Sequence, residues 1–200
     1  MGSQLMDCPL AQLPIAAIDF ESAGAVPGET DHPVQIGIVR VSTLFGAEEC
    51  YSSYIACNRP VRWSAAKVHG ITTDMLRQAP HFSALWSDLH RLLRGCVVVG
   101  HNPSTEQRFL SAFPGHGFGP WLDTLALARK ALPTLSDHSL GTVCHALGIS
   151  PEVSTLVPGK SWHDALFDAA GSLILLRALV RGLNMEQATL QGLSFAVSQN

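Results

Sequence analysis

The sequence predicts an α/β fold, a mixed five-stranded sheet flanked by helices, and three observations carry that prediction. β-rich runs come first, at 14–20, 34–42 and 50–57, and helical and strand patterns alternate after them. The runs are short, apolar and bounded by Gly, Pro and Asp, as buried strands are. Apolar residues make up 46% of the 200 residues and charged residues 14%, which suits one sizeable core and excludes a disordered chain.

The elements follow in order. Residues 1–13 carry Pro9 and little periodicity, and read as an irregular N-terminal arm. Pro14–Phe20 is an apolar run ending in acid, a buried strand. Residues 22–33 hold Gly24, Pro27, Gly28 and Asp31 and form a loop. Val34–Ser42 and Cys50–Cys57 pair as a hairpin with Gly46 in the turn. Ser64–Gly70 and Thr72–Gln78 are short helical turns. His81–Arg94 sets Phe82, Leu85, Trp86, Leu89, Leu92 and Leu93 on one helical face, with Gly95 as its cap. Cys96–Gly100 is a second buried strand, and Ser104–Phe113 a helix after Pro103. Trp121–Thr124 reads as a strand end that runs into a helix to Ala131. Ser139–Leu147 is a helix closed by Gly148, and Ser150–Lys160 a loop holding Pro151, Pro158 and Gly159. Trp162–Arg181 is the longest helix and Met185–Gln191 a short last one. One domain over 14–183 follows, with the arm before it and a short helix and tail over 184–200.

Composition narrows the function. Thirteen Lys+Arg against sixteen Asp+Glu leave a formal charge of −3, which excludes a broad basic coat for long nucleic acid. A nucleic-acid enzyme stays open, because bound cations supply positive charge locally. The five cysteines (Cys8, Cys50, Cys57, Cys96 and Cys144) are odd in number and form no C-x-x-C pair, so a disulfide framework or structural zinc is not expected and a reducing, cytoplasmic location is. The apolar run Leu173–Leu176 with Ala178–Val180 is far short of the ~20 residues of a membrane helix. The N-terminus shows no basic segment followed by a long apolar stretch, so no signal peptide is expected.

Three acidic features carry chemistry. Asp19 and Glu21 flank Phe20 at the end of a buried strand, and alternation puts both carboxylates on one face. They either face water there or share a hard cation such as Mg²⁺ or Mn²⁺. Gly100-His101-Asn102 follows the next buried strand, with Glu106 in the helix after it. Strand C-termini are where open α/β sheets bind ligands, although Asn102 and Glu106 alone also fit a turn former and a solvated first-turn acid. In 161–169, Ser161 and Asp164 are spaced as a capping box, and Asp168 lies on or beside a stripe of Leu166, Ala169, Ala170 and Leu173. His163 is five residues earlier, about 140° around an ideal helix, and reaches the same site only from a frayed start. A histidine there can swing, which suits a general base.

Together these features resemble the DnaQ-like family of 3′→5′ exonucleases, in its subgroup with a histidine base (DEDDh), over about residues 14–180. Asp19-Phe20-Glu21-Ser22-Ala23-Gly24 resembles its first motif, Gly100-His101-Asn102 with Glu106 and Phe109-Leu110 its second, and His163-x₄-Asp168 its third. Val68-His69-Gly70-Ile71-Thr72, Asp123–Arg129 and His138-Ser139-Leu140 also look familial. The chain departs from the family at Glu106, where an Asp is usual, and at Thr105, where an aromatic is usual.

The resemblance implies an RNase H-like fold and a metal-dependent 3′→5′ exonuclease acting on DNA ends, in proofreading or end trimming. It implies two Mg²⁺ or Mn²⁺ ions. Asp19, Glu21 and Asp168 would hold the first, Asp19 would bridge to the second, and Glu106 would steady the second through water. His163 would take the proton of the attacking water. The backbone of Phe20, Ser22, Ala23 and Gly24 would lie against the terminal nucleotide, with His69 and Asn102 as further substrate contacts. Implied partners are a nucleic-acid 3′ end, DNA ahead of RNA, and a polymerase or other nucleic-acid-processing protein; a homodimer is compatible. The alternatives are an RNA 3′-end trimming exoribonuclease and a binding or scaffold module of the same fold with weakened catalysis. Among the basic residues, Arg59, Arg62 and Lys67 read first as scattered surface charge and second as phosphate contacts. The four tryptophans read as core, with Trp162 as the candidate for base stacking.

Overall fold

The computed structural model describes residues 7–190 and 192. Five strands form one sheet in the order β3-β2-β1-β4-β5. β1 (Ile15–Ser22), β2 (Pro33–Val41) and β3 (Glu48–Tyr54) run antiparallel in sequence. β4 (Val97–Gly100) and β5 (Trp121–Asp123) extend the sheet parallel to β1. Central β1 is buried from Ile15 to Ile18, as an apolar run covered on both faces must be, and its acids come only at the C-terminal end.

Alternation along β1 sorts the core into two layers. Ile15 and Ala17 join Val39, Val41, Val97 and Val99 on one face, while Ala16, Ile18 and Phe20 join Ile36, Ile38 and Val98 on the other. The second face is covered by α2 (Trp86–Leu93) and α3 (Ser104–Leu110). The first is covered by α7 (Ala165–Gly182), backed by α4 (Thr124–Ala131), α5 (Leu140–Ala146) and α6 (Ser150–Leu156). α7 is buried almost all round, from Ala169 through Leu176, as a helix set between a sheet and other helices must be. Each fully buried Leu in this layer contributes roughly 1.5–3 kcal/mol. α1 (Trp63–His69) packs beside the end of β1 and is closed by Gly70 at φ 75°. Among the described residues no helix is long and apolar enough to cross a membrane.

The structure moves several expected boundaries. Ser150–Lys160 is not all loop: Pro151 sits in the first turn of α6, where its missing N–H costs nothing, and Val153 is buried. α7 begins at Ala165 rather than Trp162, because Asp164 is its N-cap and accepts the Leu166 N–H at 3.1 Å; Ser161 caps nothing. His81–Arg94 divides into a 3₁₀ turn at Phe82–Leu85 and α2, which turns Trp86 partly outward. Leu10 and Leu13, in the expected arm, are buried core, and Pro9 pairs with Thr189. A turn and that bridge occupy much of 185–189 instead of a helix; Gln191 and residues 1–6 lie outside the described residues. Trp63 is not core: it is 77% exposed, with the Lys67 ammonium over its ring.

Candidate active site

The site forms where β1 stops pairing with β4. The two strands run in register from Ile15 with Val97 to Ala17 with Val99, and β1 continues alone on that edge while β2 stays paired on the other. β1 lies between an antiparallel and a parallel neighbour, so the cleft beyond its end is where α/β sheets take ligands. Asp19 and Glu21 point to the α7 side. Phe20 points to the opposite side, where its ring packs edge-on against Phe82 and Phe109 at 5.8 and 5.4 Å. Alternation thus leaves only the backbone of Phe20 on the side of the acids.

α7 comes close because residue 37, opposite Asp19 in the β1–β2 register, is glycine. A Cβ there would overlap the backbone of Ala165 and Leu166. Buried Gln35 pins the same end: its Nε2 donates to Asp164 Oδ2 at 3.1 Å, and its Oε1 accepts the Ala165 N–H at 3.2 Å. A Gln and a Gly inside the mostly apolar run of β2 were the sequence signal for this docking, and neither was singled out.

His163 lies outside the helix with φ 69°, a left-handed conformation that few non-glycine residues adopt. Its N–H donates to Asp168 Oδ2 at 3.2 Å. The reversed backbone replaces the 140° helical offset and brings the imidazole round to the acids. Ligand atoms of Glu21, His163 and Asp168 all lie within 4.8 Å of one another. Asp168 Oδ1 is buried with no hydrogen-bond partner among the described residues.

Charge crowding marks the cluster. Burial, then the charges of Asp168, Glu106 and Glu21, raise the Asp19 carboxyl well above its ordinary range. Burial and then Asp168 push Glu21 up to about 8. Burial pushes Asp168 up to about 7. Glu106 is raised to about 7 by burial, against hydrogen bonding from its own backbone and that of Phe20. Glu106 is 6% exposed, so it is not a solvated first-turn acid; it fills the gap that β4 leaves beside β1.

The remaining predicted residues divide between the cleft and its walls. His69 Nδ1 accepts the Ile71 N–H at 3.0 Å, so Nε2 carries the proton and donates to the Ser22 carbonyl at 3.0 Å. Both ring nitrogens are thus engaged within the protein, and His69 braces α1 against the end of β1. Ala23 is buried, its N–H donating to the His32 carbonyl and its own carbonyl accepting from Arg62. Gly24, at φ 98°, lies 3.2 Å (from a would-be Cβ) from Ala65 and Arg62. Asn102, at φ 66°, is exposed, and its backbone N–H donates to Asp123 Oδ1 at 2.9 Å, the oxygen that also caps α4 through Leu125. Arg59 pairs with Glu29 and Arg62 donates to the Ala25 carbonyl, which fits structural roles. Trp162 is half-buried, edge-on to Phe167 at 4.8 Å and tight against Gly171, so it is a wall before it is a stacking platform.

His101, part of the second motif but given no role of its own by the sequence, ties three segments together. Nε2 lies 2.7 Å from the His138 carbonyl, and Nδ1 lies 3.0 Å from Thr124 Oγ1. A carbonyl only accepts, so Nε2 carries the proton. Burial lowers the ring's pKa, and the Thr124 hydroxyl beside Nδ1 donates to the Gly100 carbonyl at 3.2 Å.

The exonuclease family model (RNase_T) matches residues 16–176. The DNA polymerase III subunit epsilon-like protein of Rhodobacter capsulatus is 33% identical over 94% of this chain and 27% of its own length. The DNA polymerase III subunit epsilon of Treponema pallidum is 31% identical over 61% of this chain and 58% of its own length. The chain therefore spans only part of these relatives. Exonuclease X in complex with 5′ overhanging duplex DNA shares the fold at TM-score 0.67 and 24% identity, over 88% of this chain and 97% of that one. The nuclease domain of 3′hExo, a DEDDh family member bound to rAMP, does so at TM-score 0.68 and 16% identity, over 88% and 95%. The RNase H-like fold implied by the motifs is the fold of these exonucleases, and the chain belongs to the exonuclease family.

Proposed function

We propose that the chain is a metal-dependent 3′→5′ exonuclease that releases nucleoside 5′-monophosphates from DNA ends. The observation that carries this is the convergence of Glu21, His163 and Asp168 within 4.8 Å, beside half-buried Asp19 and buried Glu106. A donor set of carboxylates with one histidine, and a buried Asp168 oxygen without a partner among the described residues, fit hard divalent cations. Asp19, Glu21 and Asp168 would hold one Mg²⁺ or Mn²⁺, and Asp19 and Glu106 would serve a second. Such ions supply neutralisation of the charge that builds up on the attacked phosphate and on the leaving oxygen.

The chain's own residues do the rest. His163 stands at the exposed mouth of the cleft, where a ring nitrogen can take the proton of a water aimed at the terminal phosphodiester. In-line attack then forms the new P–O bond and breaks the bond to the 3′-oxygen. The left-handed backbone at His163, held by Asp168, keeps the imidazole on the open side of the carboxylates. His69 fixes the Ser22 carbonyl and so the loop against which the terminal nucleotide would lie. The polymerase III names of the relatives support a proofreading role beside a polymerase, with DNA as the polymer.

The test is incubation of 5′-labelled single-stranded DNA, RNA and a mismatched duplex with Mg²⁺ or Mn²⁺, with product lengths read over time. One-nucleotide steps from the DNA 3′ end, abolished by chelator, are expected. Full cleavage in chelator, or cleavage of RNA alone, would refute the proposal.

A further inference from the structure

Two depressions adjoin the site and share a wall. One, of about 460 Å³, is lined by His163, Asp168 and Trp162 and by the start of α5 at Ser139 and Leu140. The other, of about 490 Å³, is lined by the same Ser139 and Leu140 and reaches Asn102 and Arg129. The shared Ser139 and Leu140 make the two adjacent, a groove from His163 and Asp168 past the start of α5 to Asn102, just beyond β4, and Arg129 on α4.

Hydrogen bonds tie the floor of the groove together. His101 joins the end of β4 to Thr124 at the start of α4 and to the His138 carbonyl, and Asp123 holds the Asn102 N–H. The acid beside Arg129 is spent internally: the Asp137 carboxylate accepts from the Ser139 N–H, the Ser139 hydroxyl and the Thr142 hydroxyl at 2.7–2.9 Å. The base is not. Arg129 is exposed and makes no hydrogen bond or ion pair among the described residues, whereas Arg59, Arg77, Arg91, Arg177 and Lys160 each pair with an acid. The Asn102 side chain, exposed in the same groove, likewise has no hydrogen-bond partner among the described residues. A neutral amide and an uncommitted guanidinium in the depression next to the carboxylate site match a polyanionic strand, with the guanidinium presenting a fork to phosphate oxygens.

We infer that this groove carries the DNA strand immediately 5′ of the terminal nucleotide, and that Arg129 is the residue that holds its backbone phosphate. The assignment rests on the exonuclease function proposed above and adds to it the path of the strand.

The test compares a single-stranded oligonucleotide with the p-nitrophenyl ester of thymidine 5′-monophosphate, which is too short to enter the groove. Arg129→Ala is expected to raise KM for the oligonucleotide by about tenfold with kcat held within about twofold, and to change KM for the ester far less. Binding of a fluorescent oligonucleotide in Ca²⁺, followed by anisotropy, should weaken to match, and the slope of log K against log salt should fall by roughly one. Arg129→Lys should restore most of the binding. Unchanged oligonucleotide affinity in Arg129→Ala, or equal losses on both substrates, would overturn the groove while leaving the nuclease intact. If the wild type binds DNA without cleaving it and Arg129→Ala weakens that binding, the groove stands and the exonuclease proposal falls. A wild type that neither binds nor cleaves overturns both.

Discussion

Gly37 on β2 and Ala165 at the start of α7 touch backbone to backbone, with no room for a single Cβ between them. Gly37 is the register partner of Asp19, and Ala165 is three residues before Asp168, so this contact sets how near the third acid comes to the first. Gly37→Ala should push the α7 end outward. Overpacking of this kind costs roughly 1–3 kcal/mol, readable in urea unfolding. Misplacement near 1 Å should lower turnover by on the order of 10²-fold even where the variant is folded. A variant with wild-type turnover would show that the acids tolerate a looser frame.

The crowded carboxyls predict a coupling between pH, cation and stability. Unfolded carboxyls titrate near 4, whereas burial holds Glu21 at about 8 and Glu106 and Asp168 at about 7. Between those values the folded protein binds more protons than the unfolded chain, so its stability falls as pH rises from about 4 to about 8. In chelator, the Tm should drop across this window, and less so in Glu21→Gln. Mn²⁺ should raise Tm more at pH 8 than at pH 6, because at pH 6 it must displace protons. A Tm indifferent to Mn²⁺ at both pH values would exclude a cation site at these acids.

His163→Ala should reduce turnover by ~10²–10⁴-fold, the range for loss of a general base, with oligonucleotide affinity preserved. Single-turnover kinetics at saturating enzyme separate the two. Because the left-handed backbone at 163 is compatible with glycine, His163→Gly keeps the loop and should show the same loss. Normal turnover in either variant would place the base elsewhere.

Glu106 tests the chain's departure from its family. Glu106→Asp shortens the arm that meets the Phe20 backbone and should change the rate by about tenfold or less, ~1.4 kcal/mol of barrier. Glu106→Gln keeps length and packing but removes the charge, and Glu106→Ala removes both. If the charge serves a second ion, both of these should lose more than Glu106→Asp, most at low Mg²⁺, with partial recovery as the ion is raised. Equal cleavage by all three at every Mg²⁺ concentration would put Glu106 outside the chemistry.

The sequence by itself determined the layered α/β fold, because buried strands and amphipathic helices declare themselves through local periodicity. It also singled out the acids that the fold brings close together, since Asp19, Glu21, Glu106 and Asp168 stand at a strand end and on helix turns where lone charges are costly. The limits of α7 and α6 were less legible: Asp164 and Ser161 both look like caps, and Pro151 looks like a breaker until tertiary burial of Val153 favours a helix. Only the tertiary structure decided how the site closes. The overlap at Gly37, the Gln35 clamp on Asp164 and Ala165, the reversed backbone of His163 and the His101 tie are contacts between segments far apart in sequence. Periodicity reports which face a residue takes along its own element. It carries no information about which distant backbone will meet that face, and that meeting turns four scattered acids and one histidine into a single centre.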